Sequence, residues 1–411
     1  MAQTYTDADI AAVYKNLYPS GIEEMILESD PFLGMVRKRT DFTGNGKYLN
    51  WKVGHGGGDA ATLANAIATT SDQQHKRPLI TRAREYAVKQ LDHESLEASE
   101  SSEGAMVELL KDASESAIEL LKLAASVSIW GNGGGARGRL SHTTSVDTAN
   151  VTLEDASEAV NFWVGQRIQT SATDGTSGSV KTGGTGYVTL TGVNRQTGVL
   201  TASLDWNDEI TAPVAVDDYL FRYGDFGAVV KGVFAWNPLS DPAGSENFFG
   251  VDRSSYPEQM AGSRYSPTAG SYDECLQDVL ARHYQVGGEH DTLFLNPIDW
   301  GELAKEIGTK DRITRNAIGS NGKEIASIGY KGIQVMGPNG AVTVLPARRL
   351  KRRRYLGTNM KSWEIWSLNE PWRLLGRGAG EGGFLRQVSA DASELRWGGY
   401  YNLVCTRPID S

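Results

Sequence analysis

The strongest pattern in the chain is a run of apolar residues at three- and four-residue steps, which predicts one long amphipathic helix over residues 93–130. The helix is expected to stop at Gly131, and at ~1.5 Å per residue it would be about 55 Å long. Its apolar stripe consists of Met106, Leu109, Leu110, Ala113, Ala117, Leu121 and Ala124. The opposite face carries Glu108, Asp112, Glu115 and Glu119. So long a helix, preceded by extended sequence without an evident core, predicts a subunit that completes its fold on neighbouring copies.

Two alternating stretches before the helix, residues 48–53 and 80–88, predict a pair of strands. Between them lie five residues of which four are glycine, residues 54–58, and a stretch of small residues that continues to about residue 70. We therefore predict a long two-stranded arm with a flexible tip. An isolated hairpin is marginally stable in water, so the arm is expected to lie on another surface. Residues 1–46 predict two short helices and a polar connection.

After the helix, residues 142–226 are rich in Thr, Gly and Val and give few helix signals. Four short strands are predicted there, at residues 162–168, 187–190, 198–202 and 218–221. Closely spaced strands separated by turns predict a small β-barrel or sandwich, inserted into a domain that continues on either side. From residue 231 the pattern is mixed. It predicts helices at residues 272–283 and 299–307, and strands at residues 292–295, 332–335, 342–345, 363–368 and 400–404. The fold class is therefore α+β.

Composition excludes several classes of protein. Of the 411 residues, 40% are hydrophobic and 22% are charged, which are ordinary values for a folded chain. No apolar run is long enough for a membrane span, and the acidic N-terminus lacks the apolar core of a signal peptide. Cys275 and Cys405 lie in unrelated segments and are interpreted as reduced thiols. The net charge of −9 argues against a dedicated nucleic-acid binder, but it is compatible with an acidic shell around DNA.

The candidate catalytic and ligand-binding motifs lack the neighbouring elements or partner residues that their chemistry requires. Gly133, Gly135 and Gly138 match the dinucleotide-binding pattern, but a helix precedes them and none follows, so they predict a chain turn. His55 and the glycines after it resemble an esterase oxyanion loop, yet no nucleophile elbow exists in the chain. The six histidines are scattered without metal-ligand spacing, and no carboxylate pair stands out. We predict no catalytic residue, cofactor or metal, and hence no enzyme.

The densest charge in the chain is a basic segment at residues 348–354, in which six of seven residues are basic. They are Arg348, Arg349, Lys351, Arg352, Arg353 and Arg354. One interpretation is a solvated turn, or a patch that bridges to acidic neighbours. The other is a ring that faces phosphate or lines a pore, multiplied by the symmetry of an oligomer. The sequence leaves both open.

The order of these parts resembles the major capsid proteins of tailed bacteriophages. Residues 90–96 resemble the family's entry into its spine helix, and residues 129–133 resemble the exit from that helix. Residues 292–297 and 329–335, with the turn at Pro338, resemble strands of its axial domain. Residues 216–221 resemble the end of an insertion that some members carry. The resemblance covers nearly the whole chain.

This resemblance implies the Hong Kong 97 phage fold. Its parts would be an N-terminal arm at residues 1–46, an extended E-loop hairpin at 47–90 and the spine helix of the P-domain with its following loop at 91–141. An inserted small β-barrel-like domain at 142–228, an A-domain at 229–347 and a return to the P-domain sheet at 348–411 would follow. A lysine–asparagine crosslinking pair cannot be matched in this chain, and any scaffold is expected to be a separate protein.

The implied function is a structural shell that self-assembles through pentamers and hexamers into an icosahedral head around double-stranded DNA. The DNA contact would be weak and non-specific, and the portal, a scaffolding protein and a decoration protein are expected partners, without a membrane. The virion is the expected location, after assembly in the host cytoplasm. The predicted interface residues of the E-loop and arm are Tyr48, Trp51, Gly56, Gly57, Gly58 and Tyr86.

Two other functions compete with this prediction. An encapsulin-like compartment would share the fold and enclose enzymes instead of DNA. A carbohydrate-binding protein is the alternative of a different class, in which Trp51, Trp163 and Trp206 would form a sugar platform. No carboxylate pair accompanies these tryptophans, and core or interface packing is their default role.

Overall fold

The computed structural model describes residues 30–92, 103–210, 212–244, 246–266, 270–310, 333–375, 384–386 and 391–411. Side chains at residues 103–112, 308–310 and 384–386 lie outside this description. Residues 1–29 of the predicted N-terminal arm, and the part of the long helix predicted at residues 93–102, also lie outside the described residues.

Twenty strands and eight α-helices are assigned within the described residues. The strands are β1 (Arg37–Arg39), β2 (Gly46–Tyr48), β3 (Trp51–Gly54), β4 (Gln74–Lys76), β5 (Leu79–Thr81), β6 (Ala83–Asp92), β7 (Ala136–Arg139), β8 (Asn150–Thr152), β9 (Arg167–Ser171), β10 (Val188–Asn194), β11 (Val199–Ala202), β12 (Tyr219–Arg222), β13 (Thr292–Leu295), β14 (Ile333–Gly337), β15 (Gly340–Pro346), β16 (Leu356–Thr358), β17 (Trp363–Ser367), β18 (Arg373–Leu374), β19 (Phe384–Arg386) and β20 (Ala392–Cys405). The helices are α1 (Pro31–Met35), α2 (Leu63–Ala68), α3 (Glu103–Ile129), α4 (Trp206–Glu209), α5 (Val233–Trp236), α6 (Pro257–Ala261), α7 (Tyr272–Gln285) and α8 (Pro297–Lys310).

The main sheet gathers strands from distant parts of the chain around β20. This strand pairs with β6 over ten residues on one side and with β17, β18 and β19 on the other, and β1 adds to β17 in parallel. Helix α3 packs against β6 and β20. The indole of Trp236 donates to the carbonyl of Leu403 at 2.9 Å, which ties α5 to the same strand.

The long helix α3 is 27 residues long, or about 40 Å. Where its side chains are described, the predicted apolar stripe is buried at Ala113, Ala117, Leu121 and Ala124. Small residues on this face allow the helix to approach the sheet closely. Just beyond its C-terminal end, Trp130 lies in a cluster of aromatic rings with Phe32 and Phe294.

The arm consists of two short two-stranded sheets, β2 with β5 and β3 with β4, followed by a bridge between Gly57 and Ser71. The end of the arm contains the short helix α2, which the sequence analysis did not predict. The helix has only six residues, three of them Ala, and so short a stretch gives little periodic signal; the sequence pattern therefore did not reveal it.

The inserted module, residues 136–222, is a six-stranded sheet in the order β7-β12-β9-β10-β11-β8. A bridge between Leu140 and Leu153, with a hydrogen bond from the Glu154 amide to the Arg139 carbonyl, joins the last strand to the first. The sheet therefore closes on itself. It surrounds its own core, in which Phe162, Leu190 and Trp206 are fully buried.

Two predictions about this module need correction. Residues 136–139, interpreted as part of a loop, form strand β7, so the module starts before the predicted boundary at residue 142. The strand predicted at residues 162–168 begins only at Arg167. Gly165 has a positive φ of 84°, which turns the chain and excludes a continuous strand there.

A third layer combines the four-stranded sheet β14-β15-β13-β16 with helices α7 and α8. Strand β13 is buried at every position, and it runs parallel to β15. Leu276 and Leu280 of α7 and Leu303 of α8 pack on the strands in a separate core. The predicted helices and strands of this region are all present, although the strand end at residue 332 lies outside the described residues.

Asn402 joins three parts of the fold, and its substitution tests the central role of β20. Its side chain is buried, donates to the Thr81 carbonyl at 2.8 Å and accepts from the amide of Lys231 at 3.0 Å. Asn402→Ala leaves these backbone groups without partners, so we expect the free energy of unfolding to fall by about 2–3 kcal/mol in urea titrations. The exposed strand substitution Gln90→Ala is the control, and a loss below about 0.5 kcal/mol for Asn402→Ala would contradict the assignment.

Candidate functional site

The predicted arm residues divide into exposed and buried groups. Tyr48 is 66% exposed and lies opposite Leu79 on the neighbouring strand. Tyr86 is also exposed, and its ring meets that of Tyr400 edge-on with centroids 6.2 Å apart. These side chains leave apolar surface open on the arm and on the main sheet.

Trp51 does not belong to this exposed group. It is only 7% exposed, its ring packs edge-on against Trp236, and its indole donates to the Thr406 carbonyl at 3.1 Å. The prediction that Trp51 is buried against a neighbouring subunit is therefore wrong. The side chain anchors the base of the arm to its own chain.

The tip helix α2 has no buried residue. Leu63 and Ile67 are 78% and 66% exposed and are four residues apart, so they lie on one face of the helix. Sequence analysis did not identify this apolar pair, because six residues are too few for a helical period.

The glycines at 56–58 are required by close packing at the tip. A Cβ on Gly58 would lie 1.9 Å from the carbonyl oxygen of Ala66, and one on Gly56 would lie 2.5 Å from the amide nitrogen of Gln73. Gly57 has a φ of 106°, which is unfavourable for other residues. These positions fold α2 back against the strands.

Most of the basic segment contacts its own chain. Arg349 is largely buried and donates to the Val160 carbonyl at 2.8 Å and to Ser126 Oγ at 2.9 Å. Burial lowers the pKa of Arg349 to about 10. Through these bonds Arg349 joins α3 to the inserted module.

The other basic residues of the segment include ion-paired and exposed side chains. Lys351 lies 3.4 Å from Glu158, and Arg352 lies 3.2 Å from Glu302. Arg348 and Arg353 are exposed. Bridging to acidic neighbours therefore accounts for Arg352 and Lys351, whereas the phosphate-facing interpretation remains a prediction for the exposed pair.

A buried charge network joins the main sheet to the inserted module. Arg137 donates to Asp225 at 3.1 Å, and Asp225 also accepts from Arg222 at 2.7 Å. Nearby, the Tyr401 hydroxyl donates to the buried carboxylate of Glu85. Burial raises the pKa of Glu85 and lowers that of Arg137 to about 10.

The structure also brings together two histidines that the sequence placed in separate segments. The rings of His283 and His290 stack with centroids 3.7 Å apart, and Ser263 hydrogen-bonds to Nδ1 of His283 at 2.6 Å. Burial lowers the pKa of His283 to about 4 and that of His290 to about 3. The contact depends on how α7 meets the following loop, which a spacing of seven residues did not reveal.

The side chains of the described part offer few sites for other chemistry. No group of three or more His, Cys, Asp or Glu side chains gathers there to hold a metal ion. The alternative of a sugar platform does not fit the structure, because Trp51 and Trp206 are buried and the guanidinium of Arg137 lies over the ring of Trp163 at 5.1 Å. Every helix in the described residues is too short or too polar to span a lipid bilayer.

The comparisons with known proteins find similarity only among solved structures. No family model matches the chain, and no curated protein matches it. The capsid asymmetric unit of cyanophage A-1(L) matches at 11% identity with a TM-score of 0.52, over 92% of this chain and 89% of that chain. This similarity shows that the chain has the fold of a phage capsid protein, which confirms the predicted fold family.

Two further matches have TM-scores too low to support an argument. The capsid of the native GTA particle is 10% identical, with a TM-score of 0.42 over 92% of this chain and 86% of that chain. The procapsid of satellite phage P4 is 8% identical, with a TM-score of 0.38 over 97% of this chain and 93% of that chain.

Neighbouring arginines of the basic segment provide a matched test. Arg349→Ala leaves the Val160 carbonyl and the Asn161 amide oxygen without this donor, so we expect the free energy of unfolding to fall by about 2–3 kcal/mol. Arg348→Ala removes an exposed side chain and should change it by less than about 0.5 kcal/mol. Equal effects in chemical denaturation would contradict the internal role of Arg349.

The histidine pair predicts an acid-sensitive stability. Both pKa values are lower in the folded chain than the ordinary value, so below about pH 6.5 the unfolded chain binds more protons. The free energy of unfolding should therefore fall as pH drops from about 6.5 toward 4, by up to ~1.4 kcal/mol per pH unit for each histidine. Urea titrations across this range should give a shallower slope for the double variant His283→Gln, His290→Gln. His55→Gln, at an exposed position, serves as control, and an unchanged slope in the double variant would refute the prediction.

Proposed function

We propose that this chain is the major capsid protein of a tailed bacteriophage, a structural subunit whose copies form pentamers and hexamers and close into an icosahedral head. The observation that carries this proposal is the fold shared with the cyanophage capsid chain over 92% of this chain. The proposed role is one of geometry, without a catalytic residue, cofactor or metal.

In this proposal the observed parts take the roles that the resemblance implies. The arm from β2 to β5 is the E-loop, α3 is the spine helix, and the main sheet with α3 forms the P-domain. The four-stranded layer with α7 and α8 is the A-domain, and the closed sheet at residues 136–222 is the inserted domain.

The arm supplies the contact between copies. Leu63 and Ile67 at its tip, together with Tyr48 along its strands, expose apolar side chains that the described part of the chain leaves uncovered. Burial of apolar surface on a neighbour is favourable by roughly 25 cal/mol per Å². Head-to-tail contacts between identical subunits form closed rings when the rotation permits, and many weak contacts then stabilise one shell.

Double-stranded DNA is the proposed content of the shell. The net charge of −9 disfavours tight binding to a polyanion, and Arg349, Lys351 and Arg352 are already engaged within the chain. Weak, non-specific contact lets the DNA pack without adhering to the wall. A portal, a scaffolding protein and a decoration protein are the further partners proposed, with assembly in the host cytoplasm and the virion as the final location.

The tip helix provides the test. In the double variant Leu63→Ser, Ile67→Ser, we expect soluble subunits with unchanged thermal unfolding that no longer form closed shells in electron micrographs, because the apolar contact is lost while the core is intact. Leu204→Ser, which changes an exposed leucine on the inserted module, should still assemble.

Normal particles from the tip variant would argue against the arm contact. Shells of the unaltered chain should protect DNA from nuclease when they are purified from cells that contain the phage genome. Shells that contain protein cargo and no nucleic acid would instead indicate a compartment of the encapsulin kind.

A further inference from the structure

A groove of about 1160 Å³ runs between α7, the loop after α5 and the segment from Arg353 to Gly357. Arginines are prominent on its walls: Arg264, Arg282, Arg353 and Arg354 line it, against the carboxylates of Asp241 and Glu258. Arg264 is already paired with Asp241 at 2.7 Å. The groove therefore carries an excess of positive charge on a chain that is acidic as a whole.

Three of these arginines have no carboxylate partner among the described residues. The guanidinium of Arg282 lies over the ring of Tyr265 at 4.3 Å, and that of Arg354 lies 5.8 Å from the ring of Phe234. Arg353 is exposed. A guanidinium group can bind a carboxylate through two parallel hydrogen bonds. Because these three lack a carboxylate partner in the described residues, they are available to an acidic ligand.

The backbone at Arg353 is held in an uncommon conformation. Its φ is 57°, in the left-handed region that non-glycine residues rarely adopt. The backbone amide of Arg353 donates a hydrogen bond to the buried carboxylate of Asp299 at 2.6 Å, and this bond holds the conformation. Such outliers are concentrated at ligand-binding and other functional positions.

The groove also contains an unpartnered polar atom and apolar side chains. Nε2 of the buried His283 has no hydrogen-bond partner within the described residues. Leu239 and Val286 expose apolar side chains on the same lining. A ligand that carries both carboxylates and apolar groups would match these features.

We propose that this groove binds residues 21–29 of a neighbouring copy of the chain, a proposal that rests on the assembly described above. These residues contain Glu23, Glu24 and Glu28 interleaved with Ile22, Met25, Ile26 and Leu27, and no basic residue. The segment immediately precedes Asp30, where the description of the chain begins. Its charge is complementary to the arginines, and its apolar side chains are complementary to Leu239 and Val286.

A nucleic-acid strand fits the groove less well. Tight binding of a phosphate backbone depends on many basic contacts. This lining has only three guanidinium groups without a carboxylate partner in the described residues, and it mixes them with apolar side chains and the carboxylate of Glu258. The net charge of −9 would also repel a long polyanion before it reached the groove.

The test measures binding of a fluorescein-labelled synthetic peptide of residues 20–29 to the full chain by fluorescence anisotropy. The double variant Arg282→Gln, Arg353→Gln should bind it at least tenfold more weakly, and a peptide with its three glutamates changed to glutamine should bind poorly to the unaltered chain. Arg348→Gln, which removes an exposed arginine outside the groove, should change the affinity less than twofold. Circular dichroism should show that the variants are folded.

Absence of peptide binding, or equal binding by the groove variants, would overturn the proposal. Displacement of the peptide by a short single-stranded DNA at lower concentration than by unlabelled peptide would overturn it in favour of a nucleic-acid site. The assay does not require shells, so failure of the peptide to bind while normal shells form would reject the groove contact alone. Failure of the unaltered chain to form shells would instead reject the proposed function.

Discussion

The backbone pairing of β20 is the constraint on which the rest of the structure depends. This single strand takes its partners from residues 83–92, before the long helix, and from residues 363–386, after the inserted module. Every large segment of the chain must therefore return to one place before the main sheet is complete. Contacts of such long sequence separation carry a high loop-closure cost during folding, and they make the final sheet highly cooperative.

Buried polar contacts hold the separate layers in fixed relation to this strand. Arg349 links α3 to the inserted module, and the Arg137–Asp225 pair lies where that module meets the body. A buried charge without a partner is costly, so such contacts tolerate few alternative arrangements. The apolar cores are divided among the layers, and these polar junctions determine how the layers meet.

The arm differs from the body because its base is anchored and its tip is not. Trp51 is fixed between Trp236 and the Thr406 carbonyl, whereas Leu63 and Ile67 are largely exposed. This contrast explains how one chain can combine a stable body with an extension whose apolar surface is available to a neighbour. It also adds the tip pair to the proposed contact between copies. The sequence had indicated Tyr48, Tyr86 and the glycines at 56–58 for this contact, together with the internal Trp51.

Local pattern determined much of the secondary structure from the sequence alone: the apolar stripe of α3, the buried strand β13 and the helices α7 and α8 all follow periods that neighbouring residues create. The negative net charge and the absence of known catalytic motifs were also evident from the sequence. Only the tertiary structure decided that Trp51 is internal, that residues 136–139 form a strand, that His283 stacks on His290, and that Arg349 is engaged while Arg353 is exposed. The physical reason is that burial and pairing of a side chain depend on segments far away in the sequence, whereas a helical or strand period is created by residues a few positions apart.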